Sequence, residues 1–419
     1  MMMSFIMATL MAMPVKAQDV IEGEVVEPQD DTEVTDSTML DSLAADTLKL
    51  PWPESVQVGI GKLLESKMFE TSQVGIMVWD MDADSCIYKH NERQLMRPAS
   101  TMKLLTAITA LDKLGGSYQF KTQLKYTGTI EDGVLTGDVY CVGGMDPRFN
   151  SDDLTAFVNS LKDMGVDTIR GNVYADRSMK DAALLGEGWC WDDDNPVLSP
   201  LVFSRKDIFM DRFLAKLKDA GIEYEEMYAS SKTCPANAFT ICTRFHTMDQ
   251  ILHKMMKDSD NLYAESMYYQ IASSTGNRPA SAKSARNVQR QLVRKIGLDP
   301  ARYKFADGSG LSLYNYVSAE LEVKLLRYAY QDENILPHLK QSLPIAGVDG
   351  TLKRRMRSGF AHGNVKAKTG TVTGVIGLAG YCKAANGHDL CFSILNNGIM
   401  HSNNARSFAD KVCELLCQP

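Results

Sequence analysis

Ser100-Thr101-Met102-Lys103-Leu104-Leu105-Thr106-Ala107-Ile108-Thr109-Ala110-Leu111 reads as a helix with Met102, Leu104, Leu105, Ala107, Ile108, Ala110 and Leu111 covering nearly every face. A helix apolar all round is packed on all sides, so a central, buried helix is predicted from about Ser100 to Leu114. On its N-terminal side, a helix is expected over about Val56–Met68. Alternating strands follow at Val74–Trp79 and Cys86–His90, turning at Asp82-Ala83-Asp84. At the far end of the chain, strands are expected at Val375–Lys383 and Asp389–Leu395, then a helix at Arg406–Leu416. Strands at both ends with helices between them predict one antiparallel sheet packed against helices, an α+β arrangement.

The middle of the chain differs. From Phe120 to about Phe245, strands such as Thr122–Tyr126 and Gly137–Val142, split by Asp132-Gly133, alternate with helices near Asp152–Met164 and Ile208–Ala220. This is expected to be an inserted α/β domain over 120–245, with 51–119 and 246–419 forming the other domain. A length of 419 residues suits such a multi-domain chain. From Thr247 to Tyr330 helical character returns, broken at Ser259 and at Asp307-Gly308-Ser309-Gly310.

Lys103 lies in the apolar helix, where an unpaired lysine is expensive. Ser100 is three residues earlier, so both side chains project from one face. A serine hydroxyl is a poor nucleophile without a base, and a lysine serves as one when burial or a second cation disfavours its charged form. Ser-x-x-Lys alone is weak, arising on the order of once or twice by chance in such a chain. Ser259-Asp260-Asn261 falls where one helical pattern ends and another begins. It reads either as a helix cap or as a proton shuttle (Ser259) beside an amide that binds substrate (Asn261). Lys368-Thr369-Gly370-Thr371 is the most specific element and is expected to precede a strand over Val372–Tyr381. Gly370 suits an extended ligand against a strand edge. Thr369 and Thr371 offer hydroxyls to a carboxylate that Lys368 supports, and the Ser100 and Thr371 backbone N–H groups suit an oxyanion hole. A basic turn entering an edge strand is the structural alternative. The set is an inventory for acyl transfer through a serine ester.

Composition excludes several classes. The net charge of −7 is concentrated in residues 1–50, which hold ten acids with only Lys16 and Lys49 as bases; the rest has 42 acids against 43 bases. No basic stripe interleaved with aromatics is present, so no nucleic-acid partner is expected. Phe5–Met13 followed by Val15-Lys16-Ala17 reads as a secretory signal over 1–17, with 18–50 as an acidic, disordered tether. The expected location is periplasmic or secreted. No run of about eighteen apolar residues predicts a membrane span. The seven histidines lack metal-site spacing, so neither metal nor cofactor is expected. Nine cysteines include Cys382 and Cys391, flanking a turn at Asn386-Gly387, and Cys413 and Cys417 on a helix. Buried free thiols are expected, since an odd count leaves at least one unpaired.

The three motifs in this order resemble those of the penicillin-interacting serine acyl-transferases. Most of the chain after Met96 is similar to one branch, the low-molecular-mass class C penicillin-binding proteins, which are D-alanyl-D-alanine carboxypeptidases and endopeptidases. The resemblance runs through Arg97-Pro98-Ala99-Ser100-Thr101, Gly144-Met145-Asp146-Pro147, Gly188-Trp189-Cys190-Trp191, Lys257-Asp258-Ser259-Asp260-Asn261, Ala306-Asp307-Gly308-Ser309-Gly310 and Leu343-Pro344-Ile345-Ala346-Gly347. It implies a β-lactamase/transpeptidase-like domain, with Ser100 as nucleophile, Lys103 as base, and peptidoglycan stem peptides and β-lactam antibiotics as partners. It also suggests Asp193, within Trp191-Asp192-Asp193-Asp194, as the group meeting the ammonium of a diamino acid. The 159 residues from Ser100 to Ser259 are fewer than this branch has, with a short link at about Val202–Lys206. Two other readings fit the sequence less well. A class A type β-lactamase requires a glutamate-bearing loop soon after Ser-Asp-Asn and a shorter gap before it, and neither is found. A non-catalytic wall-binding or antibiotic-sensing protein fits poorly with three intact motifs.

Overall fold

The computed structural model describes residues 50–191, 195–225 and 231–419. The predicted signal, the tether up to residue 49 and Asp193 lie outside these residues. Helix α1 (Glu54–Leu63) stops earlier than expected, and Lys67–Glu70 forms a separate 3-10 turn. Strands β1 (Gln73–Asp80) and β2 (Ser85–His90) follow as a hairpin. Helix α2 (Met102–Leu114) begins two residues later than predicted, because Ala99 at φ +47° opens a 3-10 turn, Ala99–Thr101, that carries Ser100. Every residue from Met102 to Leu111 is buried.

Residues 119–247 supply β3 (Gln119–Tyr126), β4 (Thr129–Glu131), β5 (Val134–Thr136), β6 (Val139–Val142), α3 (Ser151–Asp163), β7 (Thr168–Arg170), β8 (Val173–Asp176), α4 (Phe209–Asp219), β9 (Glu223–Tyr224) and β10 (Phe239–Thr247). These strands make two sheets, β10-β3-β6-β8 and β4-β5-β7-β9. Leu124, Phe157, Phe209 and Phe213 belong to a core drawn from this stretch. Here the structure differs from the sequence reading. The Asp132-Gly133 turn closes the β4–β5 hairpin of the second sheet and does not join the paired strands β3 and β6. Glycines permit the excursion: a side chain at Gly128 would meet the Thr136 carbonyl at 1.9 Å, and one at Gly137 the Thr127 carbonyl at 1.9 Å.

The remainder contributes α5 (Met248–Lys257), α6 (Asn261–Ser273), α7 (Ala282–Lys295), α8 (Ala319–Tyr330), α9 (Leu336–Ser342), β11 (Lys366–Val372), β12 (Val375–Lys383), β13 (Asp389–Asn397) and α10 (Ser402–Cys417). The sheet runs β11-β12-β13-β1-β2, antiparallel throughout, so both ends of the described chain build it. Helix α2 packs within it and the helices around it: Leu105, Ile108, Met255, Met267 and Leu325 share one core. Lys368-Thr369-Gly370 does not precede a strand, as expected, but lies inside the edge strand β11, paired with β12. Strand β12 covers Val375–Lys383, the range expected from the sequence, and Gly374 at φ +75° forms the turn that separates it from β11.

None of the nine cysteines forms a disulfide. Cys382 is paired in register with Leu390, and Cys391 with Tyr381, so the two thiols face opposite sides of the sheet. Among the described residues no helix is long and apolar enough to cross a membrane.

Candidate active site

The turn before α2, the α5–α6 junction, the loop 307–310 and the edge strand β11 converge. Ser259 is the one residue between Asp258, which ends α5, and Asp260, the cap of α6, and takes φ +62°, unusual for a residue other than glycine. Asp260 accepts from the N–H groups of Leu262 and Tyr263 and caps α6, so the motif serves both the cap and the cluster. Its other oxygen accepts from Arg205 at 2.9 Å, which ties the short link at Val202–Lys206 to the centre. Gly370 faces the nucleophile turn, where a side chain would approach the Pro98 carbonyl to 2.6 Å and the Ser100 nitrogen to 3.2 Å. Gly310 does the same on the other side, since its missing side chain would fall 1.8 Å from the Ala99 carbonyl.

Lys103 is fully buried, and its ammonium nitrogen has three partners. Ser100 Oγ is at 2.9 Å, Asn261 Oδ1 at 2.7 Å and the Ser309 carbonyl at 2.8 Å. The last two can only accept, so they fix two N–H groups whether the lysine is charged or neutral. In the neutral amine the remaining lone pair therefore points at Ser100 Oγ. Burial lowers the Lys103 pKa to about 8 against the opposing charges of Asp307, Asp260 and Glu265. Lys368, equally buried, donates to Ser259 Oγ at 2.9 Å and to the Thr369 carbonyl at 2.8 Å. Burial, and then the positive charge of Lys103, hold its pKa well below the ordinary lysine value.

Ser100, Lys103, Ser259, Asn261 and Lys368 are thus brought together. Thr369 Oγ1 is hydrogen-bonded to Thr351 Oγ1 at 2.7 Å, and Thr371 is exposed on β11. Sequence reasoning missed the supports. The Ser309 carbonyl has no side-chain signature, but Asp307 holds the loop carrying it, accepting from the Gly310 and Ser312 N–H groups, Asn315 Nδ2 and Trp189 Nε1. Glu265 accepts from the Gly308 and Ser309 N–H groups at 3.0 and 2.8 Å.

Among the described residues, Asp80, Asp82 and His388 have donor atoms close enough to share an ion. Their atoms already tie together two adjacent turns at one end of the sheet: Asp80 Oδ2 lies 2.7 Å from His388 Nδ1, and Asp82 Oδ2 accepts from Asp389 N–H at 2.6 Å. A cavity of about 480 Å³ opens where α2 and α6 end, lined by Leu114 and Ser273, and shares no residue with the serine–lysine cluster.

The chain matches the D-Ala-D-Ala carboxypeptidase 3 (S13) family over residues 56–202 and 198–418. It belongs to that family. It is 26% identical over 419 residues to the D-alanyl-D-alanine carboxypeptidase DacB of Haemophilus influenzae, covering 80% of this chain and 87% of that one. It is 28% identical over 444 residues to a D-alanyl-D-alanine carboxypeptidase of Actinomadura sp. strain R39, covering 83% and 81%. Penicillin binding protein 4 (dacB) of H. influenzae shares the fold with a TM-score of 0.77 at 24% identity, over 85% of this chain and 97% of that one. The same protein complexed with a β-lactam gives 0.72 at 25% identity, over 86% and 99%. The family is that of low-molecular-mass penicillin-binding carboxypeptidases, and the architecture is α+β and multi-domain, as the resemblance implied.

Proposed function

We propose that this chain is a serine-type D-alanyl-D-alanine carboxypeptidase and endopeptidase of the cell wall, acting through an ester on Ser100. The observation that carries this is the Lys103 amine, 2.9 Å from Ser100 Oγ with its other N–H groups held by Asn261 and Ser309. In the reaction, Lys103 takes the Ser100 proton as Oγ bonds to the carbonyl carbon of the penultimate D-alanine. The backbone N–H groups of Ser100 and Thr371 receive the developing oxyanion. Ser259, hydrogen-bonded to Lys368, passes its proton to the departing amine as the C–N bond breaks and is reprotonated by Lys103, which is left neutral again. Water, deprotonated by that neutral lysine, then attacks the ester, and the same proton returns to Ser100 Oγ as the C–O bond breaks. Thr369, Thr371 and Lys368 hold the terminal carboxylate, and Gly370 keeps the strand close enough to the serine turn for both tasks. Asp193 receives the ammonium of a diamino acid in the stem.

β-Lactams present a strained amide to the same serine and are trapped as slow esters, in keeping with the β-lactam complex of the H. influenzae protein. Residues 120–245 form an inserted domain, and the protein works in the periplasm or outside the cell. Fluorescent penicillin tests the reading: the wild type is labelled covalently and Ser100→Ala is not. No label on the wild type, or equal label on both, refutes it. Muropeptide mass spectrometry then separates the activities, since trimming removes one terminal residue and cross-link cleavage removes dimers.

A further inference from the structure

A second buried acid lies directly behind the nucleophile turn. Glu322 on α8 is 2% exposed and accompanied by hydroxyls alone. Its Oε1 is 2.5 Å from Thr101 Oγ1, and its Oε2 is 2.7 Å from Ser393 Oγ on β13. Thr101 Oγ1 is also 2.8 Å from the Pro98 carbonyl.

A hydroxyl carries one hydrogen, and a carbonyl only accepts. Thr101 cannot donate both to Pro98 and to a carboxylate. If Glu322 were ionised, two acceptor oxygens of this buried group would face each other at 2.5 or 2.8 Å with no hydrogen between them. One arrangement satisfies every contact: Glu322 carries a proton on Oε1 and donates it to Thr101 Oγ1. Thr101 then donates to the Pro98 carbonyl, and Ser393 donates to Glu322 Oε2.

No charge compensates an ionised Glu322. Among groups on the elements packed against α8, Lys103 on α2 serves Ser100, Asn261 and Ser309, and Asp80 on β1 faces His388. Asp112 at the end of α2 pairs with Lys295, Asp389 of β13 with Lys383 of β12, and His338 of α9 with Asp249. Tyr381 on β12 donates to the Leu326 carbonyl, and Cys391 on β13 points at that of Val323. On α8 itself, Glu320 meets Arg93 and Arg327 meets Asp84. Burial sets the state of Glu322, pushing its pKa up to about 7 against the two hydroxyl contacts.

We propose that Glu322 is a positioning residue, a neutral carboxylic acid whose O–H holds Thr101 so that Thr101 clamps the Pro98 carbonyl and fixes the turn presenting Ser100. The proposal rests on the serine-ester reading above. The turn needs such a clamp, because Ala99 at φ +47° is strained for a residue with a side chain. Loss of the proton turns the Thr101 hydroxyl toward the carboxylate and releases Pro98.

The test is the ratio of Ser100 acylation rates by fluorescent penicillin, Glu322→Gln over wild type, from pH 6 to pH 9. The amide donates to Thr101 and accepts from Ser393 without titrating, and the ratio cancels the titration of Lys103. It is expected to rise about fivefold with pH, the worth of one neutral hydrogen bond. In a Thr101→Val background that rise disappears. A ratio independent of pH, or a rise that survives Thr101→Val, overturns the proposal. Should Glu322→Gln not fold, infrared spectroscopy of the wild-type protein at pH 6 finds a buried carboxylic acid band, separate from that removed by Glu265→Gln, that Thr101→Val shifts; absence of that second band, or one that Thr101→Val leaves unmoved, overturns it. The band is observable even if Ser100 proves unreactive, so failure of the serine-ester reading is separately visible.

Discussion

If Lys103 must be neutral to take the Ser100 proton, acylation below pH 7 must follow the neutral fraction. With the pKa lowered by burial to about 8, that fraction is about 0.3% at pH 5.5 and about 9% at pH 7. The second-order rate constant for penicillin acylation should therefore rise about thirtyfold over this interval, close to tenfold per pH unit. An ordinary lysine would be roughly three hundredfold less available at pH 7, so burial is the term that makes the mechanism workable. The assay is rapid mixing with a fluorescent penicillin, quenched and resolved on a denaturing gel, at constant ionic strength. Lys103→Met should keep the fold, because it fills the same space without a charge, and lose acylation by several orders of magnitude at every pH. A rate constant flat between pH 5.5 and 7, or a Lys103→Met protein acylated at a near-normal rate, would refute lysine as the base.

Three further outcomes follow from the same contacts. Asn261→Ala removes one of the two acceptors that aim the amine, and should slow acylation by roughly ten- to hundredfold, the worth of a hydrogen bond to a charged group, with thermal unfolding little changed. Gly370→Ala places a methyl group 2.6 Å from the Pro98 carbonyl; pushing the strand from the turn should cost about 1–3 kcal/mol in chemical denaturation and lower acylation with it. Glu265 is raised to about 8, first by burial and then by the negative charge of Asp307. The folded state holds its proton from about pH 4.5 to 8 while the unfolded chain releases it, so stability falls as pH rises through that window, by at most about 1.4 kcal/mol per pH unit. Glu265→Gln should flatten the slope, which denaturant titrations at pH 5 and pH 7.5 measure.

How much was legible depended on whether an interaction leaves a mark in side-chain pattern. The central helix announced itself because an apolar surface on every face has one physical explanation, and Lys103 stood out as a cost within it. Four strands of the five-stranded sheet followed from the patterns at both ends of the folded chain, and the edge strand β11 did not. In residues 119–247 the pairing of the strands at Thr122–Tyr126 and Gly137–Val142 was legible, but the β4–β5 hairpin between them was not, because Asp132-Gly133 fits any hairpin and the glycines at 128 and 137 look like ordinary loop residues. The Ser309 carbonyl was invisible for a different reason: a backbone acceptor is specified by the loop that aims it, and that loop is built by Asp307, whose donors include two backbone N–H groups and the side chains of Asn315 and, far off in sequence, Trp189.

Glu265 and Glu322 show what the reading of Lys103 implied and left unused. Each is a buried ionisable group on a helix that packs around α2. Their positions differ by what they touch. Glu265 holds the peptide N–H groups of the loop whose carbonyl aims the base, and Glu322 faces the turn that aims the nucleophile. A helix that must be apolar to be buried gains precision at its N-terminal end only from polar groups that are buried with it. The serine–lysine pair therefore comes with a surrounding set of buried acids and hydroxyls, and a sequence that carries the pair without them would be expected to fold and react slowly.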